Sequence, residues 1–368
     1  MALGGVLRRE AGLLAGVVTF LAFEFAHDAM AQAGGFVQVL LFLWLFVVML
    51  WCVLSAVRHA DGLAERLGEP YGTLILTLSV IIIEVSLISA VMLNGDADPT
   101  LARDTMFAVL MIVLNGLVGA SLLIGALYHR EQEYNFQGAG QFLSVLMPLA
   151  AFSLVLPNYS VAAEGAAFSA SQAIVFSVLI VLLYGVFLLI QTMRHAAHFA
   201  EPAHETPAAH APEHHGPAYP TWMHGLFLLL FLVPVVLLSE EMAVYIDHGV
   251  DALHLPVALG GVVIAALVLF AEGLAAIKAA RQNRLQRAVN ICLGSALSTI
   301  GLTAPAVLAI GLITGSPVVL GLEPVELVLL VMTLLNCMVT FRGTRTNMLQ
   351  GAVHLVLFVA YMALIFDP

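Results

Sequence analysis

The feature that most constrains this chain is a carboxylate near the middle of a membrane-length apolar run. The run extends from Gly72 to Ser89, GTLILTLSVIIIEVSLIS, and Glu84 is its single charged residue. An ionised acid at the centre of a bilayer costs about 2.5–3.5 kcal/mol on insertion scales. A proton, a bound cation or a partner group must therefore neutralise Glu84.

A second apolar run repeats this arrangement much later in the chain. It reads GGVVIAALVLFAE and ends at Glu272, so that in both runs a glutamate stands twelve residues after a glycine. Acids within membrane segments are functional more often than structural. The matched pair, Glu84 and Glu272, therefore indicates a functional site, and the alternative is two buried acids held by hydrogen bonds alone.

Composition indicates an all-α polytopic membrane protein. Of the 368 residues, 61% are hydrophobic and 10% are charged, whereas about 25% of the residues in soluble domains are charged. The apolar runs are continuous rather than alternating, which argues against a transmembrane β-barrel. The three cysteines lie inside apolar runs, so we expect them to be reduced packing residues.

Hydropathy predicts about eleven transmembrane helices of about 20 residues each. We expect the first to be an uncleaved helix rather than a signal peptide, because no convincing small-residue cleavage site follows it. Glu323, Pro324 and Glu326 mark the start of the tenth helix, where a proline and acids suit the first turn. The approximate limits are 11–30, 36–57, 70–93, 104–128, 138–157, 169–193, 222–245, 254–277, 288–313, 323–341 and 348–366.

The basic residues predict the orientation of these helices. With a cytoplasmic N-terminus, twelve of the thirteen lysines and arginines lie on the inner side, and Arg103 alone lies on the outer side. Cytoplasmic loops are enriched in Lys and Arg, so the bias supports this topology and an external C-terminus. The outer loops are acidic and would raise the local cation concentration, although acids in exposed loops also need no special role.

One long polar loop, residues 194–221, divides the chain. It is rich in proline, alanine and histidine, and we predict a disordered cytoplasmic linker. Its histidines are candidates for accessory metal binding or pH sensing, but their irregular spacing favours a plain linker. The candidate residues are His204, His210, His214 and His215.

The linker separates two predicted repeats of five helices. Residues 1–33 hold an extra N-terminal helix, residues 34–193 the first repeat and residues 222–368 the second. Because five is odd, the second repeat is inverted relative to the first. Transporters built in this way bind substrate near the midplane, between the repeats, so Glu84 and Glu272 would face each other there.

Polar side chains on the acid helices, or on the helices that follow them, complete the candidate site. They are Thr73, Thr77, Asn115, Asn290, Ser295, Ser298 and Thr299. For Thr73 and Thr77, hydrogen bonding to the carbonyls of their own helix is an equal alternative. Helix 7 adds Glu240 and Glu241, which point about 100° apart, so we expect one of them to face the bundle.

Two longer stretches are similar to a known family. GEPYGTLILTLSVIIIEVSLIS and FAEGLAAIKAARQNRLQRAVNICLGSALSTIGLTAPAV resemble the two α-repeats of the cation/proton exchanger family. That family belongs to the calcium/cation antiporter superfamily, and its bacterial ChaA-type calcium/proton antiporters are the most similar branch. The resemblance extends to the central polar loop and to HREQEYN between helices 4 and 5.

The resemblance implies that Glu84 and Glu272 bind the transported cation and exchange it for protons, with a further acid from Glu240 or Glu241. It also implies a bacterial inner-membrane location. Eukaryotic members carry Gly-Asn-Ala before each acid, where this chain has Ile81–Ile83 and Leu269–Ala271. The choice of cation therefore stays open.

We expect a secondary antiporter that extrudes Ca²⁺ in exchange for protons and needs no resident cofactor. A sodium or potassium/proton antiporter on the same scaffold is the main alternative, and a zinc exporter that uses the histidine-rich loop is less favoured. No His-Glu-x-x-His metalloprotease motif occurs, which argues against an embedded enzyme of that type. The expected partners are the lipid bilayer, inorganic cations and protons, with no nucleic acid, and a homo-oligomer stays open.

Overall fold

The structure is a computed structural model that describes residues 9–31, 34–67, 71–93, 99–163, 165–201, 219–315 and 318–367. Within these ranges, side chains are described except for residues 27–31, 71–77, 90–93, 247 and 251.

The described part of the chain is built almost entirely from helices. In chain order they are α1 (Ala11–Ala31), α2 (Gly35–Leu67), α3 (Tyr71–Leu93), α4 (Leu101–His129), α5 (Phe136–Tyr159), α6 (Ala170–Arg194), α7 (Thr221–Leu253), α8 (Ala258–Arg281), α9 (Leu285–Thr314), α10 (Pro324–Thr340) and α11 (Met348–Phe366). Among the described residues, eight helices are long and apolar enough to cross a membrane, and shorter apolar helices cover 11–26, 78–89 and 324–340. The helical, multi-pass fold is confirmed, and the count of eleven spans stays a prediction.

The first compact unit comprises residues 1–97 and 208–260 and holds α1, α2, α3 and α7. Helices α2 and α7 pack along each other, and α1 and α3 each pack against both. A Cβ atom on Gly16 of α1 would lie 2.8 Å from the Cys52 sulfur and 2.9 Å from Pro234. The missing side chain at Gly16 therefore lets α1 approach α2 and α7 closely.

The second compact unit comprises residues 98–207 and 261–368 and holds α4, α5, α6, α9, α10, α11 and most of α8. Helix α4 packs along α11, and α9 packs against α5 and α6. Where α4 crosses α11, a Cβ atom on Gly351 would lie 2.6 Å from the Leu123 nitrogen and 2.9 Å from the Gly119 oxygen. Small residues permit this backbone contact, as is common between membrane helices.

A short β-ladder is the one departure from the all-α prediction among the described residues. Strand β1 (Gln132–Glu133) pairs antiparallel with β2 (Arg345–Thr346). The adjacent Tyr134 donates from its hydroxyl to the Thr340 carbonyl at 3.2 Å, and burial raises the pKa of this phenol, so it remains a donor. The HREQEYN segment thus ties the α4–α5 and α10–α11 connections together. Two-residue strands are too short to show a period of two in the sequence.

The predicted start of the tenth helix is confirmed. Glu323 is the N-cap of α10, Pro324 follows it, and the Glu323 amide donates to the Glu326 carboxylate at 3.0 Å. All three cysteines are buried and free, as expected for packing residues.

The α4–α11 crossing predicts a strong dependence on Gly351. We expect Gly351→Ala to lower the free energy of unfolding by about 1–3 kcal/mol, because the new methyl group meets backbone atoms that cannot rotate away. Thermal unfolding of the detergent-purified protein measures this loss. Gly140→Ala in α5 is the matched control, since nothing lies within 4 Å of its added Cβ. Equal unfolding temperatures for the two variants would contradict the close crossing.

Candidate cation-binding site

Glu84 is a buried carboxylate in α3 of the first unit. Its side chain is 2% exposed, and the neighbouring Ile83 and Leu87 are each 1% exposed. Because aliphatic side chains cannot solvate charge, this position strongly disfavours an uncompensated carboxylate. The side chains of the predicted partners Thr73 and Thr77 lie outside the described residues.

Glu272 is a half-buried carboxylate in α8 of the second unit, and it has a direct polar partner. The Ser295 hydroxyl of α9 donates to Glu272 Oε2 at 2.5 Å. Ser298, one turn further along α9, donates to the Ser295 carbonyl at 3.0 Å. The structure therefore brings the predicted residues Glu272 and Ser295 together, with Ser298 and the buried Thr299 next along the same helix.

A π-helical turn interrupts α9 directly after these serines. It covers Thr299–Thr303, and a second such turn covers Ile112–Leu117 in α4. Glu84 and Glu272 occupy matching positions in the two predicted repeats. With the same offset along the chain, Ile112–Leu117 matches positions 300–305, so the π turns of α4 and α9 nearly coincide. Short π turns are frequent at functional sites. Others occur in α5 and α6, so π turns are not confined to these two helices, and the repeat stays a prediction.

The π turn of α4 also packs beside Glu272. A Cβ atom on Gly273, the next residue of α8, would lie 2.9 Å from Leu117 Cδ2 at the end of that turn. A larger side chain at position 273 would displace Leu117. Glycine at position 273 therefore allows α8 to approach α4 next to the carboxylate.

Asn115, another predicted site residue, lies in a buried polar network of the second unit. Its amide nitrogen donates to Thr333 Oγ1 at 2.7 Å, and its Oδ1 lies 3.3 Å from His354 Nδ1. His354 Nε2 lies 3.0 Å from Thr340 Oγ1. The histidine must carry its proton on Nδ1 to serve both neighbours, because an amide oxygen only accepts. Each of these side chains is at most 1% exposed.

Sequence reasoning missed Thr333 and His354 as partners of Asn115. Both are polar residues inside the apolar helices α10 and α11, so the signal was present in the sequence. Their distance along the chain from Asn115 hid the contact, which only tertiary packing creates.

Asn290 contacts the start of the linker. Its amide nitrogen donates to the Phe199 carbonyl at 2.6 Å, and its Oδ1 accepts from Gln286 at 2.8 Å. The Arg284 side chain lies 2.8 Å from the Glu201 carboxylate nearby. The amide nitrogen of Asn290 and the Arg284 side chain therefore hold residues 199–201 beside the start of α9, while the Asn290 Oδ1 bonds within its own helix.

The remaining candidates are placed as follows. In α7 of the first unit, Glu240 is exposed and Glu241 is half-buried. His204, His210, His214 and His215 lie outside the described residues. Glu84 and Glu272 belong to different compact units, and their pairing stays a prediction.

The donor atoms of this site suit a hard cation. Glu272 and Ser295 offer carboxylate and hydroxyl oxygens, which Ca²⁺ and Na⁺ prefer over nitrogen or sulfur. Within the described ranges, no group of three or more His, Cys, Asp or Glu side chains is arranged to hold a metal ion.

A buried and a half-buried carboxylate in two helices of an apolar, multi-pass fold are typical of a membrane transporter for cations. The chain belongs to the sodium/calcium exchanger protein family, whose sequence profile matches residues 37–193 and 223–366.

Relatives support this assignment. This chain is 45% identical to the sodium-potassium/proton antiporter ChaA of Escherichia coli (strain K12) over 314 residues, which cover 85% of each chain. It is 26% identical over 247 residues to the Ca²⁺/H⁺ antiporter ChaA of Bacillus subtilis (strain 168), covering 66% of this chain and 68% of that one. The solved structure of native YfkE shares the fold, with a TM-score of 0.73 at 18% identity and coverage of 96% and 99%.

The buried network predicts energetic coupling between Asn115 and His354. His354→Phe leaves the Asn115 oxygen and the Thr340 hydroxyl unsatisfied, at a cost of about 1–3 kcal/mol. In a double-mutant cycle with Asn115→Leu, we expect a coupling energy of about 0.6–2 kcal/mol from unfolding in detergent.

His248→Phe, at an exposed position of α7, is the control and should change stability little. Strictly additive effects of Asn115→Leu and His354→Phe would contradict the network.

Proposed function

We propose that this protein extrudes Ca²⁺ from the cytoplasm in exchange for protons, and that cation and protons compete for Glu84 and Glu272. The observation that carries the proposal is the Glu272 carboxylate in apolar α8, which accepts from Ser295 at 2.5 Å beside a π turn. The matching position of Glu84 in the other predicted repeat supports the pairing.

The coupling follows from the cost of an empty site. Two ionised carboxylates without protons or a cation would each cost about 2.5–3.5 kcal/mol in the membrane. The carrier therefore crosses between its two states with protons or with the cation bound, and crosses rarely with neither. One cargo must return as the other leaves, and a proton gradient directed inward drives cation extrusion.

Charge balance favours a divalent cargo. Two carboxylates neutralise one Ca²⁺, and hydroxyl and backbone oxygens supply the rest of the six to eight oxygen ligands at about 2.3–2.6 Å. The similarity to the Bacillus subtilis Ca²⁺/H⁺ antiporter agrees with this.

A sodium or potassium/proton antiporter is the second candidate. The higher identity to the Escherichia coli sodium-potassium/proton antiporter favours it. The absence of Gly-Asn-Ala before either acid removes an amide from both repeats, and this difference from calcium-transporting eukaryotic relatives also suits a monovalent cargo.

Proton movement in everted vesicles tests the proposal. A pH-sensitive dye reports proton release when Ca²⁺, Na⁺, K⁺ or Zn²⁺ is added, and the ion with the lowest half-saturating concentration is the preferred cargo. We expect Glu84→Gln and Glu272→Gln each to reduce the response at least about tenfold, equivalent to about 1.4 kcal/mol.

Glu24→Gln, at an exposed position of α1, should leave the response unchanged. Cation-dependent proton movement that survives in both acid variants would exclude the proposed competition. A response to Na⁺ and K⁺ but not to Ca²⁺ would select the second candidate.

Ser295 provides a finer test of the Glu272 site. A hydroxyl that donates to a carboxylate stabilises its ionised form, which is the form that binds a cation. We expect Ser295→Ala to raise the half-saturating cation concentration about threefold to tenfold, for a lost bond of about 0.5–1.5 kcal/mol. Vesicle assays over a range of cation concentrations measure it.

Ser144→Ala is the matched control, because Ser144 is exposed in α5 and donates to the carbonyl of its own helix. An unchanged half-saturating concentration for Ser295→Ala would place Ser295 outside the cation site.

A further inference from the structure

A cluster of ionisable side chains, three of them buried, lies in the first unit, before α1, within α2 and in the first turn of α7. Glu10 precedes α1, Arg58 and His59 lie in α2, and His224 lies in the first turn of α7. Glu10, His59 and His224 are 3%, 0% and 3% exposed. The cluster thus joins three helices of the unit through polar contacts.

The contacts form a chain. Glu10 Oε2 lies 2.5 Å from Arg58 Nη2 and 3.1 Å from His59 Nε2. On the other side of the ring, His59 Nδ1 lies 3.2 Å from His224 Nδ1. Arg58 Nη2 also lies 3.5 Å from His59 Nε2, but the shorter contact is to the Glu10 carboxylate, which only accepts, so Nε2 carries the proton. A neutral His59 then accepts at Nδ1 from His224.

This geometry limits the cluster to one proton between the two Nδ1 atoms. A first added proton can reside on His59, beside the Glu10 carboxylate. The Nδ1 atom of His224 then becomes the hydrogen-bond acceptor. A second added proton would make both histidines donors at Nδ1 and place two positive rings in contact. The contact between His59 and His224 then cannot persist.

The surroundings leave little room for adjustment. His59 stacks against Phe227 and Phe231, with ring centroids 5.1 and 5.9 Å apart. A Cβ atom on Gly62 would lie 2.7 Å from His224 Nδ1, so α2 fits closely around that ring. Repulsion between the rings must therefore move the start of α7 away from α2.

Other ionisable groups near the histidines do not offset a second proton. Arg9 lies near the start of α1, Arg58 and Arg66 lie on α2, and Tyr219 precedes α7. The three arginines oppose further positive charge. Burial, followed by the Glu10 charge, raises the pKa of the Tyr219 phenol, so Tyr219 stays neutral. Among the described residues, Glu10 is the one carboxylate that acts on these histidines, and Arg58 already pairs with it.

We propose that Glu10, His59 and His224 form an accessory proton-binding site that slows transport when the cytoplasm becomes acidic. The inference rests on the proposed antiport and on the charge bias that assigns this cluster to the cytoplasmic side. Helix α7 also carries Glu240 and Glu241 and packs against α3, the helix of Glu84. Displacement of its first turn therefore acts on Glu240 and Glu241 of the same helix and on α3, which carries Glu84. An antiporter that admits protons would thereby limit its own acid load.

Flux at saturating cation separates this site from competition at Glu84 and Glu272, because competition changes the half-saturating concentration and not the maximal rate. Purified protein in proteoliposomes is assayed while the pH on the predicted cytoplasmic face is lowered at constant outer pH. We expect the maximal rate of the wild type to fall as this pH is lowered. The midpoint, the pH at which the maximal rate is halved, should lie about one pH unit or more lower for His224→Gln.

His248→Gln is the matched control, since His248 is an exposed histidine in the same helix, and it should keep the wild-type midpoint. His59→Gln should shift the midpoint in the same direction as His224→Gln. A wild-type midpoint in both cluster variants would overturn the proposal.

A second measurement does not depend on transport. In a Trp44→Phe/Trp51→Phe background, the remaining tryptophan is Trp222, two residues before His224. Its fluorescence should titrate with acid in detergent, and His224→Gln should abolish this transition. A transition without exchange in any vesicle assay would refute the proposed antiport but retain the proton site. A transition that persists in His224→Gln would overturn the site itself.

Discussion

The cost of placing a carboxylate among aliphatic side chains is the constraint on which this structure depends. For Glu272, the hydrogen bond donated by Ser295 on the next helix offsets part of that cost. The serine lies one turn before a π turn, where the regular backbone hydrogen bonding of the α-helix is interrupted in α9. Glu84 is more deeply buried, as are Ile83 and Leu87 of the same helix. In both positions an ionised carboxylate is costly unless a cation or a polar group offsets its charge or a proton removes it, and the proposed exchange rests on that cost.

Close helix contacts hold these positions without a hydrophobic driving force between the helices. Lipid tails are as apolar as leucine, so association depends on packing and polar contacts. Gly119 and Gly351 let α4 and α11 meet at backbone distance, and Gly273 brings α8 onto Leu117. The π turn of α4 is thereby held between α8 on one side and the Asn115 network on the other.

Two buried histidines illustrate how similar chemistry serves different ends. His354 satisfies Asn115 and Thr340 as a neutral ring with one proton, so its network is complete and rigid. His59 faces a carboxylate and a second histidine, so the number of protons it can share depends on pH. Complete networks specify one packing arrangement, whereas a histidine pair in contact is poised to respond to protons.

The sequence by itself determined the helical membrane fold, the two acids and the start of α10, because long apolar runs and charges within them are local signals. The repeats and the facing of Glu84 and Glu272 stay predictions of that pattern. Tertiary structure decided which polar groups meet. Ser295 donates to Glu272, Asn115 bonds with His354, and Asn290 donates to the Phe199 carbonyl. Partners on helices far apart in the chain carry no local pattern, since only packing brings them within hydrogen-bonding distance.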